Sequence, residues 1–465
     1  MSKDLPGMTL ENIVAACDGE YVGDAKKLKE SITGAVIDSR KIKEDNLFVA
    51  IRGERVDGHD FANQVLKDGA LAVLAERDLP DCKGPYIKVA STALAFQKIA
   101  AFYRTQLECP IVGVTGSVGK TSTKEMIATV LSEKYEVQKT AGNYNNELGV
   151  PLTLFTISPK YEVAVVEMGI SDFEEMDRLA RMAQPDIMVI TNIGTCHLDH
   201  LKDRDGVLKA KTECFAHMQP RGVAVLNGDD DKLITQKMVN GIPPIFYGKE
   251  FEACDGSFKE IYATDIQNLG FEGMTATIHT PAGPFEIRTH IPGEHNIYNA
   301  MAATAIALRM GLTREEIARG IEKARTIEGR TNFIHANGYI VIDDCYNANP
   351  MSMKSAIRTL SHASGRSIAV LGDMGELGED AYALHQEVGQ CVAQERIDAL
   401  FATGTLAKAY AEAASENADC EIFYEPQKAD MINKLLDYVR EGDSILIKAS
   451  HFMEFGEIVE RLTNR

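Results

Sequence analysis

The sequence predicts an α/β protein in three parts, and three observations carry that expectation. Its 465 residues correspond to about three domains at roughly 150 residues each, and with 45% hydrophobic residues there is material for separate cores. Apolar runs of strand length alternate with helical patterns through the middle of the chain, stop near GIEKARTIEGR, and begin again. Between two such patterns lies GVTGSVGKTS at 113–122, a glycine turn that joins an apolar strand to an amphipathic helix.

Residues 1–85 read as a small mixed α/β domain, with strands at GAVIDSR and DNLFVAIRG. A helix follows at HDFANQVLKDGA, where Phe61, Val65 and Leu66 share a face. Residues 86–325 form the second part. It opens with the helix STALAFQKIAAFYRTQL, and its strands at IVGVTG, YEVAVVEMG, PDIMVITNIG and GVAVLNGDD have the continuous apolar character of a mainly parallel sheet covered on both faces. Residues 326–465 repeat the alternation at YIVIDD, SIAVLGD, IDALFATG and DSILIKAS, which makes a third α/β unit.

The turn at 113–122 is built for an anion. A helix N-terminus offers unpaired N–H groups and a partial positive charge, so the backbone from Thr115, Gly116, Ser117 and Val118 through Gly119, Lys120, Thr121 and Ser122 is the expected phosphate cradle. Gly116 and Gly119 supply backbone freedom, Lys120 reaches the outer phosphates, and Thr121 places its hydroxyl on a magnesium ion. The strict P-loop spacing asks for glycine at 114, where this chain has Val114, with Gly113 one place early.

Other classes are excluded by composition. A formal charge of −19 with no run of lysine and arginine argues against a nucleic-acid partner. No stretch approaches the ~18 apolar residues of a membrane span, and MSKDLPGMTLENIV lacks the order of a signal peptide, so a cytoplasmic protein is expected. The nine cysteines are scattered singly, which fits reduced packing thiols better than disulfides or a zinc site.

Ligands of an open α/β sheet gather at strand ends, which singles out Glu167 after YEVAVV and His197 after VITNIGTC. In DRDGVLKAKTECFAHM, Val207, Leu208, Cys214, Phe215 and Met218 make one helical stripe with Lys211 in its middle and Lys209 opposite. A buried amine loses charge and becomes able to add carbon dioxide as a carbamate; a lysine whose stem snorkels to water is the alternative. Asn296 and Asn299 begin an Ala-rich helix and suit either an adenine edge or a helix cap. Arg330 lies where the second unit gives way to the third, placed for a phosphate on closure or for an interdomain salt bridge. Asp343 and Asp344 end a strand and suit ribose hydroxyls, or a plain turn.

TGSVGKTS, EMG, NIGTCHLDH, AKTE, GEHNIYNA, EGR and DDCYNANP occur in that order, and with them the chain resembles the Mur ligase family over nearly its full length. The resemblance implies an N-terminal UDP-sugar-binding domain, a central ATPase and a C-terminal Rossmann-like domain that closes over both. It implies Lys120 as the phosphate-binding lysine and Thr121 and Glu167 as magnesium-associated. A second magnesium would have His197 as a ligand beside a carbamylated Lys211. Asn296 and Asn299 fall on the adenine side, Arg330 on phosphate and Asp344 on ribose. Ser39, Arg40 and the stretch with Asp57, Gly58, His59 and Phe61 match the UDP-binding region, and Asn145 and Asn146 lie near the muramoyl peptide. SRKIKEDNLFVAIRGERVDGHDF, GNYNNELGVPLT and LGDMGELG point to the branch that uses ATP to add D-alanyl-D-alanine to UDP-N-acetylmuramoyl-tripeptide, expected as a monomer. One departure stands out: the family's Lys-Gly-Ser-Arg pattern is here KASHFMEF, with Ala449 and His451 in place of glycine and arginine. A sibling ligase adding one amino acid, a folylpolyglutamate-type ligase and a GTP-binding switch are the rival readings. GNYNNE and DDCYNANP argue against the first two, and the missing Asn-Lys-x-Asp motif against the last.

Overall fold

The computed structural model describes residues 5–252, 256, 258–416 and 419–464. Three sheets divide it. The first has five strands in the order Glu20–Val22, Tyr86–Lys88, Ala72–Ala75, Asn46–Val49, Gly34–Val36. NLFV and AVLA are buried on both faces, as expected of the inner strands of a covered parallel sheet. The boundary expected at residue 85 needs correction, because Tyr86–Lys88 hydrogen-bonds between Ala72–Ala75 and Glu20–Val22. The next element, Thr92–Arg104, is a helix capped by the Ser91 hydroxyl. Its Phe96 and Tyr103 stack on Phe155, so it packs one flank of the first sheet's unit onto the second.

The second sheet decides where chemistry happens. Its phosphate-loop strand, Ile111–Thr115, lies between Val163–Glu167 and Ile187–Ile190, parallel to both. The chain leaves this strand on one side and returns later on the other, so a crevice opens at its carboxyl end. Beyond Ile187–Ile190 run Val223–Asn227 and Ile245–Lys249, then a meander of Ile261–Asn268, Met274–His279 and Phe285–Thr289. These last three alternate buried and half-exposed residues, the pattern of an antiparallel sheet with one wet face, and the strand–helix alternation read from sequence passes over them.

The third sheet has the order Asn332–Ala336, Tyr339–Asp343, Ser444–Lys448, Ser367–Gly372, Ala399–Thr403, Glu421–Glu425, parallel except for its first strand. Among the described residues eight cysteines are free, and Cys254 lies outside them. No described helix is long and apolar enough to cross a membrane.

The phosphate-loop helix, Lys120–Leu131, packs against His295–Arg309 and Arg314–Lys323. A Cβ on Gly320 would stand 2.6 Å from the Val130 Cα, and backbone cannot yield there. Gly320→Ala is therefore expected to lose about 1–3 kcal/mol of stability by overpacking. An unchanged midpoint in urea would show that the two helices are not in rigid contact.

Candidate active site

A cavity of about 1390 Å³ opens at the carboxyl end of the phosphate-loop strand, with walls from the second and third units. That is more than a single small ligand fills, and it suits several substrates meeting.

The loop is held open by its neighbour strand. Asn192 accepts from the Ser117 and Val118 amides at 3.0 and 2.9 Å, while Thr191 Oγ1 and Asn192 Nδ2 donate to the Val118 carbonyl. Two of the expected cradle amides are thus already used. Those of Lys120, Thr121 and Ser122 have no protein partner among the described residues and start the helix, with Gly119 left-handed at φ 82°. The Thr115 hydroxyl is buried and unbonded. Gly113 belongs to the strand, where a Cβ would meet Met168 and Met188 at 2.6 and 2.7 Å. Its place one residue early therefore reflects packing. The Lys120 ammonium folds back onto the Gly116 carbonyl at 2.9 Å, and burial, then the neighbouring Lys211, push its pKa down to about 8.

Glu167 ends the adjacent strand, 1% exposed. Its Oε1 accepts from Thr121 Oγ1 at 3.1 Å and Asn145 Nδ2 at 2.8 Å, whereas Oε2 is buried with no hydrogen bond and only Lys124 at 3.7 Å. Lys124 is itself buried; its Nζ donates to the Thr140 carbonyl, and Thr140 Oγ1 accepts from the Glu167 amide. Lys211 is 1% exposed and its side-chain amine makes no hydrogen bond or ion pair among the described residues, while Lys209 is exposed over the Phe173 ring. The snorkelling alternative is therefore not what the structure contains, and burial holds the Lys211 pKa below its usual value. The α-helix carrying Lys211 is shorter than the stripe suggested: it spans Arg204–Thr212 and tightens to a 3₁₀ turn over Glu213–His217, with Thr212 Oγ1 bonded back to the Leu208 carbonyl. His197 lines the cavity, kept neutral by burial, with Glu376 of the third unit opposing and Lys211 and Lys120 reinforcing that shift. Among the described residues no three His, Cys, Asp or Glu side chains are gathered closely enough to hold a metal by themselves.

On the opposite side, Asn299 lines the cavity and Asn296 lies behind it. Neither caps the helix. Asn296 Nδ2 donates to the Pro292 carbonyl, Asn299 Nδ2 to Asn296 Oδ1, and Thr123 Oγ1 to Asn299 Oδ1. Arg330 makes no salt bridge among the described residues; its guanidinium lies 4.1 Å over the Tyr346 ring, facing the cavity. Asp344 also lines the cavity, yet Oδ1 accepts from the Thr331 amide and Oδ2 is 2.7 Å from Lys448 Nζ, so both oxygens are engaged internally.

The first-unit residues stand apart from this cavity. Ser39 begins a 3₁₀ turn over Ser39–Lys41, and Arg40 is exposed and paired with Asp38. Asp57 caps the turn Gly58–Phe61 and accepts from His59, whose Nε2 accepts from the Glu76 amide. Gly58 lies against the Ile51 backbone, at 2.8 Å for a Cβ. Lys41 bonds the Tyr144 hydroxyl, which links this unit to Asn145 and Asn146; both line the cavity, and Asn146 Oδ1 accepts from the Gly149 amide where the helix Gly149–Leu154 begins. Sequence reasoning assigned no role to Asn192, Lys124, Tyr346 or Glu376. Asn192, Tyr346 and Glu376 stood in quoted motifs, NIGTCHLDH, DDCYNANP and LGDMGELG, without being singled out there, and Lys124 stood in none.

Three family models cover most of the chain: the Mur ligase family catalytic domain at 31–104, the Mur ligase middle domain at 114–307 and the Mur ligase glutamate ligase domain at 329–451. The UDP-N-acetylmuramoyl-tripeptide–D-alanyl-D-alanine ligase of Bacillus subtilis is 35% identical over 98% of both chains. The chain belongs to the Mur ligase family. The enzyme of the same name from Escherichia coli is 34% identical, again over 98% of each. Among solved structures, MurF from Acinetobacter baumannii superposes with a TM-score of 0.89 at 32% identity, covering 99% of this chain and 100% of its own. The MurF ligase of Thermotoga maritima in complex with ADP gives 0.81 at 27%, covering 93% and 97%. This Mur ligase chain thus matches its relatives through all three sheets.

A Cβ at Gly116 would fall 1.9 Å from Thr191 Oγ1, the group that anchors the Val118 carbonyl, and φ there is 148°. Gly116→Ala is expected to weaken ATP-analogue binding at least ~10-fold by displacing the cradle. Titration calorimetry giving the parent affinity would show that the loop tolerates a shift there.

Proposed function

We propose that this chain is an ATP-dependent ligase that joins D-alanyl-D-alanine to a UDP-N-acetylmuramoyl-tripeptide, in peptidoglycan precursor synthesis. The observation that carries this reading is likeness along the whole chain: relatives of that name match it over 98% of both lengths, well beyond the central loop that siblings share.

A carboxylate is a poor acyl donor, because an attacking amine would have to expel oxide. Transfer of the ATP γ-phosphoryl group to the tripeptide carboxylate removes that obstacle: an acyl phosphate forms and ADP leaves. The amine of D-alanyl-D-alanine then attacks the acyl carbon, the C–O bond breaks, phosphate departs and the amine gives up a proton. In this scheme the free amides of Lys120, Thr121 and Ser122 hold the phosphates, and the Lys120 ammonium follows the charge that develops on the transferring oxygens. Arg330, kept flat by Tyr346, meets the phosphates from the third unit. Asn145 and Thr121 fix Glu167 by one oxygen and leave the other without a hydrogen bond.

The donor set fits a divalent cation: an orphaned buried carboxylate oxygen, a neutral imidazole and an uncompensated buried lysine. Thr121 and Glu167 would hold one magnesium, and His197 with a carbamylated Lys211 a second, which when bound offsets charge on phosphate oxygens. Lys211 reaches that state by adding carbon dioxide to its neutral amine and releasing a proton, which turns a cationic position anionic.

Phosphate release by the purified chain is expected only with ATP, UDP-muramoyl-tripeptide and D-alanyl-D-alanine together; release driven by a single amino acid would favour the sibling reading. Lys120→Ala should lower turnover ~10²-fold or more with the fold intact. Lys211→Ala should lose activity that acetate or formate partly restores, since a small carboxylate can occupy the vacated anionic position, while Lys209→Ala stays active. Full activity in Lys211→Ala would remove the carbamate from the scheme.

A further inference from the structure

Glu376 has no counterpart among the residues assigned so far, and two loops are shaped around it. Its Oε2 lies 2.5 Å from His197 Nδ1, a nitrogen that is buried and makes no aligned hydrogen bond. Nε2 of the same ring makes no hydrogen bond among the described residues, and the ring borders the cavity. Both residues have left-handed backbones, φ 54° at His197 and φ 60° at Glu376, although neither is glycine. Such conformations cost energy and persist where surrounding structure enforces them. Here the enforcement is visible. The Met374 amide donates to His385 Nε2 at 3.0 Å and the Gly375 amide to Ser450 Oγ at 2.9 Å, which fixes the chain leading into Glu376. Across the interface, Gly378 comes so near that a Cβ would be 3.2 Å from Asp199 Oδ1.

We infer that Glu376 is a positioning residue for His197: it accepts a hydrogen bond from Nδ1–H and leaves Nε2 as the nitrogen presented to a divalent cation. A histidine that binds metal nearly always gives its other ring N–H to a carboxylate or carbonyl, which sets tautomer and orientation. What is unusual is the origin of the carboxylate. Glu376 belongs to the third unit and His197 to the second, so the imidazole is oriented only when the units are together. Cation binding and domain closure then share a free energy, and each favours the other.

This inference rests on the ligase reading for the cation's purpose, but its test does not. Manganese would be titrated into the full chain by paramagnetic resonance with a non-hydrolysable ATP analogue present, and compactness followed by small-angle scattering. Glu376→Gln and Glu376→Ala are expected to weaken manganese binding ~10- to 100-fold and to reduce compaction. Glu376→Asp should recover part of both, and the exposed neighbour Glu379→Gln neither. The Glu376 side chain is 61% exposed, so these variants should melt as the parent does. Parent-like manganese affinity in Glu376→Ala, or compaction lost with affinity kept, would overturn the inference. If the parent binds manganese yet releases no phosphate with the three substrates, the ligase reading fails and the Glu376 assignment stands.

Discussion

Basic side chains left without a carboxylate partner among the described residues are the condition around which this site is arranged. Among the described residues, Lys120 has only a backbone carbonyl for its ammonium, the Lys211 amine has no partner, and Arg330 faces the cavity with an aromatic ring and no carboxylate. An ordinary core would pair or exclude such groups, because desolvating a charge costs several kcal/mol. In the proposed reaction the triphosphate would complement Lys120 and Arg330, while Lys211, once a carbamate, would join Glu167 and His197 around the divalent cations. The chain as a whole carries −19, but that charge is spread over a large screened surface, while the cations converge at one strand end. The depressed pKa values of Lys120 and Lys211 have the same origin, and the same burial that disfavours their charge makes them responsive to an anion.

The parallel sheet explains why these groups meet there. Helix N-termini and strand ends of such a sheet face one edge, and the crevice between diverging connections receives the ligand. Glu167 and Thr191–Asn192 flank the loop because their strands flank Ile111–Thr115. The third unit reaches the same edge from outside. Its entry turn is pinned where the Gly329 amide donates to Asp343 Oδ2 and the Thr331 amide to Asp344 Oδ1, with Gly329 and Thr331 both at positive φ. His295 Nδ1 lies 2.9 Å from Ser355 Oγ and Phe271 packs on Phe333, so second and third units also touch away from the phosphate loop.

Periodicity made the parallel strands legible, since a strand buried on both faces is an unbroken apolar run, and the loop was legible because its glycines and lysine serve one geometry. The antiparallel meander from Ile261 was not, as its half-wet alternation is weak and its charged residues resemble a connection. Lys211 could be singled out because its own helix surrounds it with apolar neighbours. Lys124 could not, for Thr140 and Glu167, which it meets in the fold, lie far from its helix in sequence. Glu376 was hidden for the same reason: its role depends on a contact between units, and nothing within LGDMGELG says which histidine it will meet. Asp344 marks the opposite limit. A strand-end carboxylate reads as a ligand in sequence, whereas in the fold Lys448 and the Thr331 amide occupy it.

That occupation bears on the altered KASHFMEF segment. Lys448 is buried and bonds the Asp344 and Asn347 carbonyls as well as the Asp344 carboxylate, so its first duty is to hold the DDCYNANP turn, and with it Tyr346 beneath Arg330. Ala449 stands where the family pattern has glycine, and its methyl is tolerated because Gly372 faces it: a Cβ on Gly372 would be 2.8 Å from that of Ala449. Ser450 ties the Glu376 loop. His451 is exposed, 5.8 Å from the Tyr346 ring on which Arg330 rests. The departure from the family pattern is therefore confined to two positions, one compensated by a facing glycine and one at the surface. The residues that transmit the segment's influence to the phosphate site, Lys448 and Ser450, match the pattern.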